Sequence, residues 1–138
     1  MEKWLIPNEP GYPSPAPVPA PGGWRDIQPD LSGEPYVFAA GEPPAGVSPF
    51  AVIREDEGVT VILTRADADE AGLAYDYVAA RITLRVGSAL TDVGLTALFS
   101  RTLAESGISC NVIAGLAHDH LFVDWDQAAR ALALLRAL

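Results

Sequence analysis

Cysteine, histidine and positive charge are all scarce in this 138-residue chain. The single cysteine, Cys110, excludes an internal disulfide and any all-cysteine metal site, and suits a reducing compartment. Lys and Arg together number 9 against 18 for Asp and Glu, and a net charge of −9 repels phosphate backbones and anionic headgroups. No nucleic acid and no membrane surface is therefore expected as a partner. No apolar run approaches the roughly 18 residues of a bilayer span, and "MEKWLIPNEP" lacks the charged-then-apolar order of a signal peptide. A cytoplasmic protein is the expectation. Gly-rich phosphate loops and paired-carboxylate motifs are also missing, so no cofactor is expected.

Proline is abundant but unevenly placed. "PNEPGYPSPAPVPAPGG", Pro7 to Gly23, carries it at nearly alternate positions, which blocks helix and sheet pairing and predicts an extended tail over residues 1–23. Such a tail reads as a solvated linker, as a polyproline ligand for an aromatic groove, or as an arm using Trp4 on a partner.

From Trp24 the pattern changes. "YVFAA" at 36–40, "FAVIRE" at 50–55 and "GVTVILT" at 58–64 read as strands, the last two joined by the acidic turn Glu55-Asp56-Glu57-Gly58. Asp67 is then expected to open a short helix that Gly72 stops. "ARITLRV" alternates, with Ala80, Ile82, Leu84 and Val86 on one face and Arg81, Thr83 and Arg85 on the other. Leu95, Leu98, Phe99, Thr102 and Leu103 follow at helical spacing, and Gly107 ends that helix. "ISCNVIAG" and "HLFVDW" form two more strands, after which Asp126 is expected to cap a helix with Ala128, Leu132 and Leu135 inward.

"FAVIREDEGVTVILTRADADEAG" and "SCNVIAGLAHDHLFVDWDQAARAL" both read strand, turn, strand, helix, which suggests a duplication with halves at 24–78 and 79–138. The second half has the order strand, helix, strand, strand, helix of a ferredoxin-like antiparallel sheet with helices on one face, an α+β fold.

Within that half, Asp92-Val93-Gly94-Leu95 opens a helix and Gly107-Ile108 leads to a strand with Ile113. This segment resembles the ACT domain. Taken with "YVFAAG", "REDEGVTVIL" and "GISCNVIAGLAHDHLFV", residues 28–138 resemble a bacterial ACT-like group related to the tandem ACT repeats of cytosolic arginine sensors and aspartate kinases. The resemblance implies two ACT-like halves, the first incomplete. The second half reads to Leu138 without a fourth strand, so a strand from the first half is expected to complete its sheet. Because the chain reads short by at least one strand, a homodimer is also expected.

For function the resemblance implies a non-enzymatic regulatory module whose partner is a small molecule, an amino acid first of all, held between halves or subunits. Implied ligand-binding residues are Asp92, Val93, Gly94 and Leu95 in the loop opening the helix, Ser109 and Cys110 at the strand start, Gly115 and Leu116 at the turn, and Asp119 in the next strand. Asn111 joins them on chemical grounds, offering both a donor and an acceptor. His118 and His120 share one strand face and Asp119 takes the other, so the pair reads as two ligands of a metal, as a partner of a Cys110 nucleophile, or as plain hydrogen-bonding groups. No third metal ligand is evident, and no metal site is expected. A structural module that dimerises through its sheet edge and recruits a partner by its proline-rich tail is the alternative.

Overall fold

The clean alternation of residues 80–86 and the β-rich runs before and after it are realised as strands of one sheet, seen in a computed structural model that describes residues 24–138. The proline-rich tail, 1–23, lies outside the described residues. The elements are β1 (Pro29–Ala40), β2 (Ala51–Glu55), β3 (Gly58–Thr64), α1 (Arg65–Glu70), β4 (Val78–Leu84), α2 (Leu95–Glu105), β5 (Cys110–Ala114), β6 (Asp119–Asp124), a 3-10 turn (Trp125–Gln127) and α3 (Ala128–Arg136). All six strands join in the order β2-β3-β1-β4-β6-β5, and every neighbouring pair is antiparallel.

This order is two ferredoxin-like units that share their middle. In the second half, β4, β6 and β5 lie side by side and β1 occupies the place next to β4 where a fourth strand belongs. Reciprocally, β4 closes the first half beside β1, β3 and β2. The first half thus has its opening strand and lacks only a helix between β1 and β2, where the loop 41–50 runs instead. The expected strand shortage is met within the chain, so completing the sheet requires no second copy.

β1 starts seven residues before the expected "YVFAA", because Pro29, Gly33 and Pro35 read as turn residues. Its register shifts between Leu31 and Pro35, which places the proline, lacking an N–H, at the irregularity in the ladder. Two helix starts also differ from expectation. Thr64 caps α1, its Oγ1 accepting from Asp67 N at 3.2 Å, while Asp67 sits inside the first turn. Asp124 caps the 3-10 turn by accepting from Asp126 N at 3.2 Å, so Asp126 is the group capped, not the cap. Gly107 ends α2 as expected: at φ 72° it lets Ile108 N reach Leu103 O at 2.9 Å.

Strand alternation sends one set of side chains to each face. Val37, Ala39, Val61 and Leu63 pack under Ala68 of α1. Ala80, Ile82, Leu84, Leu121 and Val123 pack under Leu95, Phe99 and Leu103 of α2 and Ala131 and Leu135 of α3. Ladder pairing of Val37 with Val78 puts both sets on one face, so all three helices cover the same side. In α3 the buried stripe is Ala131 and Leu135 with Ala128 against it; Leu132, expected inward, is only partly covered.

Ile27, ahead of β1, is fully buried in this core, and its carbonyl accepts from Val86 N at 3.4 Å. The opposite, helix-free face carries a second cluster of Tyr36, Ile62, Ala79 and Phe122, flanked by Phe38, Phe50, Tyr77 and Ile113.

Candidate functional site

Where β4 ends, the chain leaves the sheet in the loop 85–94 before entering α2, and beside it β5 turns into β6 at residues 115–118. Between them lies a cavity of about 90 Å³, lined by Ser88, Ala89, Leu90, Asp92, Leu95, Thr96, Ala114, Gly115 and Asp119. That is room for several waters, well short of the few hundred Å³ typical of pockets for drug-sized ligands.

Local sequence builds each wall. Asp92 folds its loop into a turn: its carboxylate accepts from Ala89 N at 2.6 Å while its own N–H donates to Ala89 O at 3.0 Å. Gly94, at φ 102°, opens α2 and offers no side-chain cap, so the first N–H groups of the helix, at the positive end of its dipole, lack that partner. The other wall is a tight turn in which Gly115 N donates to His118 O at 2.9 Å. A Cβ on Gly115 would stand 3.0 Å from that same carbonyl, so a larger residue would push the turn open. Asp119, paired with Ala114 across the ladder, lines the same cavity.

Of the ten residues expected to bind ligand, Asp92, Leu95, Gly115 and Asp119 are brought together here. Val93 and Gly94 adjoin them, with the Trp24 indole N–H donating to Val93 O at 3.2 Å and its ring lying 3.6 Å from where a Gly94 Cβ would be. Leu116, at the tip of the turn, is 85% exposed. Ser109, Cys110 and Asn111 stand at the opposite end of β5, where Cys110 pairs with Val123 and Asn111 with Phe122. Cys110 packs on the helix side of the sheet, and burial pushes its thiol up to about 11, which keeps it protonated and unreactive at neutral pH.

His120 belongs to the other face, while His118, expected to share its strand, lies in the turn before β6. His120 Nδ1 lies 2.9 Å from Thr83 Oγ1, and its ring meets Phe50 edge-on at 4.9 Å. Burial, followed by the charges of Arg81 and His118, holds the His120 imidazole below its ordinary range, so it is neutral at pH 7. Among the described residues no three His, Cys, Asp or Glu side chains converge as metal ligands.

Two features escaped sequence reasoning. Trp24, which clamps the α2 loop, sits at the edge of the proline-rich segment and gave no periodic signal. The aromatic helix-free face was signalled by alternation within "PYVFA", where Tyr36 and Phe38 oppose Val37 and Ala39, but only strand order reveals which other rings join them.

Comparison with known proteins bears on the fold and its lineage. The ACT domain family model matches residues 24–80, the first half and the start of β4. The motif residues first suggesting the family lie in the second half, outside that match. A Vibrio cholerae protein of unknown function, described as a possible transport protein, is similar at 43% identity over 79% of this chain and 86% of its own, with a TM-score of 0.74. An Agobacterium tumefaciens protein is similar at 17% identity, TM-score 0.65, over 78% of this chain and 84% of its own. The ligand-free regulatory subunit of aspartate kinase from Thermus thermophilus shares the fold at 10% identity, TM-score 0.63, over 82% of this chain and 97% of its own. No curated protein matches. The family model identifies residues 24–80 as an ACT domain, and the described residues share the fold of the aspartate kinase regulatory subunit.

Proposed function

We propose that this chain is a non-catalytic, cytoplasmic regulatory module that binds a small amino acid in the cavity between the α2 loop and the β5–β6 turn. One observation carries the reading: Leu95 and Thr96, in the first turn of a helix without a side-chain cap, line the same small cavity as Asp119. An α-amino acid has the complementary pair of charges, its carboxylate suiting the helix end and its ammonium suiting Asp119. At about 90 Å³ the cavity suits a compact ligand, not a nucleotide.

The same reading makes the working unit a homodimer, although not for want of a strand. Ala114 and Gly115 line the cavity at one end of β5, an edge strand whose Val112 is exposed. A second copy paired along β5 would stand beside the cavity and enclose it. An interaction module is the competing reading, favoured by exposed Val52 and Ile53 on the other edge strand, β2. A thermal-shift screen of the twenty amino acids separates them: a stereospecific rise in melting temperature supports ligand sensing, and no rise with any of them leaves the interaction module.

A further inference from the structure

Phe50 immediately precedes β2 and Phe122 lies on β6, with three strands between those two in the sheet order, yet their ring centroids are 5.4 Å apart. In a flat sheet four strand spacings would separate them by roughly 19 Å. The sheet is therefore curled, with its helix-free face concave. Within that concavity Arg81 lies with its guanidinium carbon 4.9 Å from the Tyr36 ring centre and 4.7 Å from that of Phe50.

Among the described residues Arg81 is a cation without an anion. The ion pairs among the described residues are Arg54–Glu42, Arg65–Asp69 and Arg85–Asp30, so Arg81 is left with aromatic faces alone. Its Nε is buried and makes no hydrogen bond. The rings stabilise its charge, but an N–H of a charged group shut away without an acceptor is unfavourable. The Tyr77 hydroxyl, packed against the aromatic cluster of this face, is likewise buried without a partner among the described residues. In a chain with twice as many acidic as basic side chains, this face concentrates unpaired donors among rings.

We propose that the concave face is a second binding site, in which Arg81 receives the carboxylate of a small acid with a flat apolar body. Guanidinium and carboxylate match as a planar fork, Nε and one Nη donating to the two oxygens. Tyr36, Phe50 and Phe122 supply walls on which a flat body packs. Phe50, carried at the end of the loop 41–50, is the ring that turns aside for the acceptor to reach Nε. The proposal is independent of the amino-acid reading, since Arg81 and the α2 cavity lie on opposite faces of the sheet.

The test is a titration of the full-length ¹⁵N-labelled chain, followed by NMR through the Arg81 Nε–H signal and the backbone amides of Phe50, Thr83 and Phe122. The probes are benzoate, acetate, benzamide and inorganic phosphate. Benzoate should shift these signals saturably and acetate more weakly. Benzamide, flat but uncharged, should not shift them, and the amides of Gly94 and Leu95 at the α2 cavity should stay in place. Arg81→Gln should abolish the response; Arg81→Lys, which keeps the charge but loses the fork, should weaken it by about tenfold. The proposal is overturned by no saturable shift at millimolar benzoate, by an undiminished shift in a folded Arg81→Gln or Arg81→Lys chain, or by phosphate or benzamide outcompeting benzoate.

Discussion

Tyr36 of β1 stands directly across from Ala79 of β4, and this pairing is the seam along which each half borrows a strand from the other. The halves are therefore one cooperative unit. Residues 79–138 expressed alone should show no cooperative thermal melt by circular dichroism, because β4 would lose the partner that covers Ala79 and Ile82. Adding residues 24–78 should restore one. A sharp melt of the isolated second half would show that β1 is dispensable to it.

Ile27 is the least foreseen member of the core, yet it is wholly buried among α2, α3 and β4 side chains. Ile27→Ala should cost about 2–5 kcal/mol in urea unfolding. Leu116→Ala, at an 85% exposed position, should stay within about 0.5 kcal/mol of the parent. Equal effects would mean that the segment before β1 is not docked.

His120 has a folded-state pKa below its ordinary value of 6.5, with burial the largest cause. The unfolded chain therefore takes up a proton first as the medium acidifies. Stability from this group is present above the unfolded pKa and is lost as pH falls through the folded one. The drop in melting temperature from about pH 7 to about pH 5 should be smaller in His120→Gln than in the parent. An identical drop would remove His120 from the account.

Cys110, moved from 9.0 to about 11 by burial, should react with a disulfide reagent near neutral pH roughly 100-fold more slowly than an ordinary thiol, the ratio set by two pKa units. Denaturant should restore the rate. Fast labelling of the folded chain would show that β5 opens readily.

Much of this fold was legible because its strands alternate and its helices end at glycine. "ARITLRV" placed Ala80, Ile82 and Leu84 under the helices correctly, and Gly107 marked the end of α2. Long-range partners were not legible. Nothing local in Pro29 to Pro35 says that a proline-containing segment extends β1 and fills the second half's missing place. The same holds for the candidate site: Asp92 and Asp119 are brought to one cavity only because β4 and β6 are neighbours in the sheet, while Ser109 and Asn111, close to Gly115 in sequence, lie a strand's length away. Arg81 read only as a residue on the strand face opposite Ala80 and Ile82, since only the curl of the sheet brings Phe50 over it.

Calorimetric titration of Asp119→Asn decides whether an amino acid sits, as proposed, between the start of α2 and Asp119. With whichever amino acid stabilises the parent chain, Asp119→Asn should bind about tenfold or more weakly, since a charge-assisted contact contributes about 1.5–3 kcal/mol. His118→Gln and His120→Gln should each cost less. Binding that survives in Asp119→Asn but is lost in the histidine variants would contradict the account and move the ligand to the helix-free face.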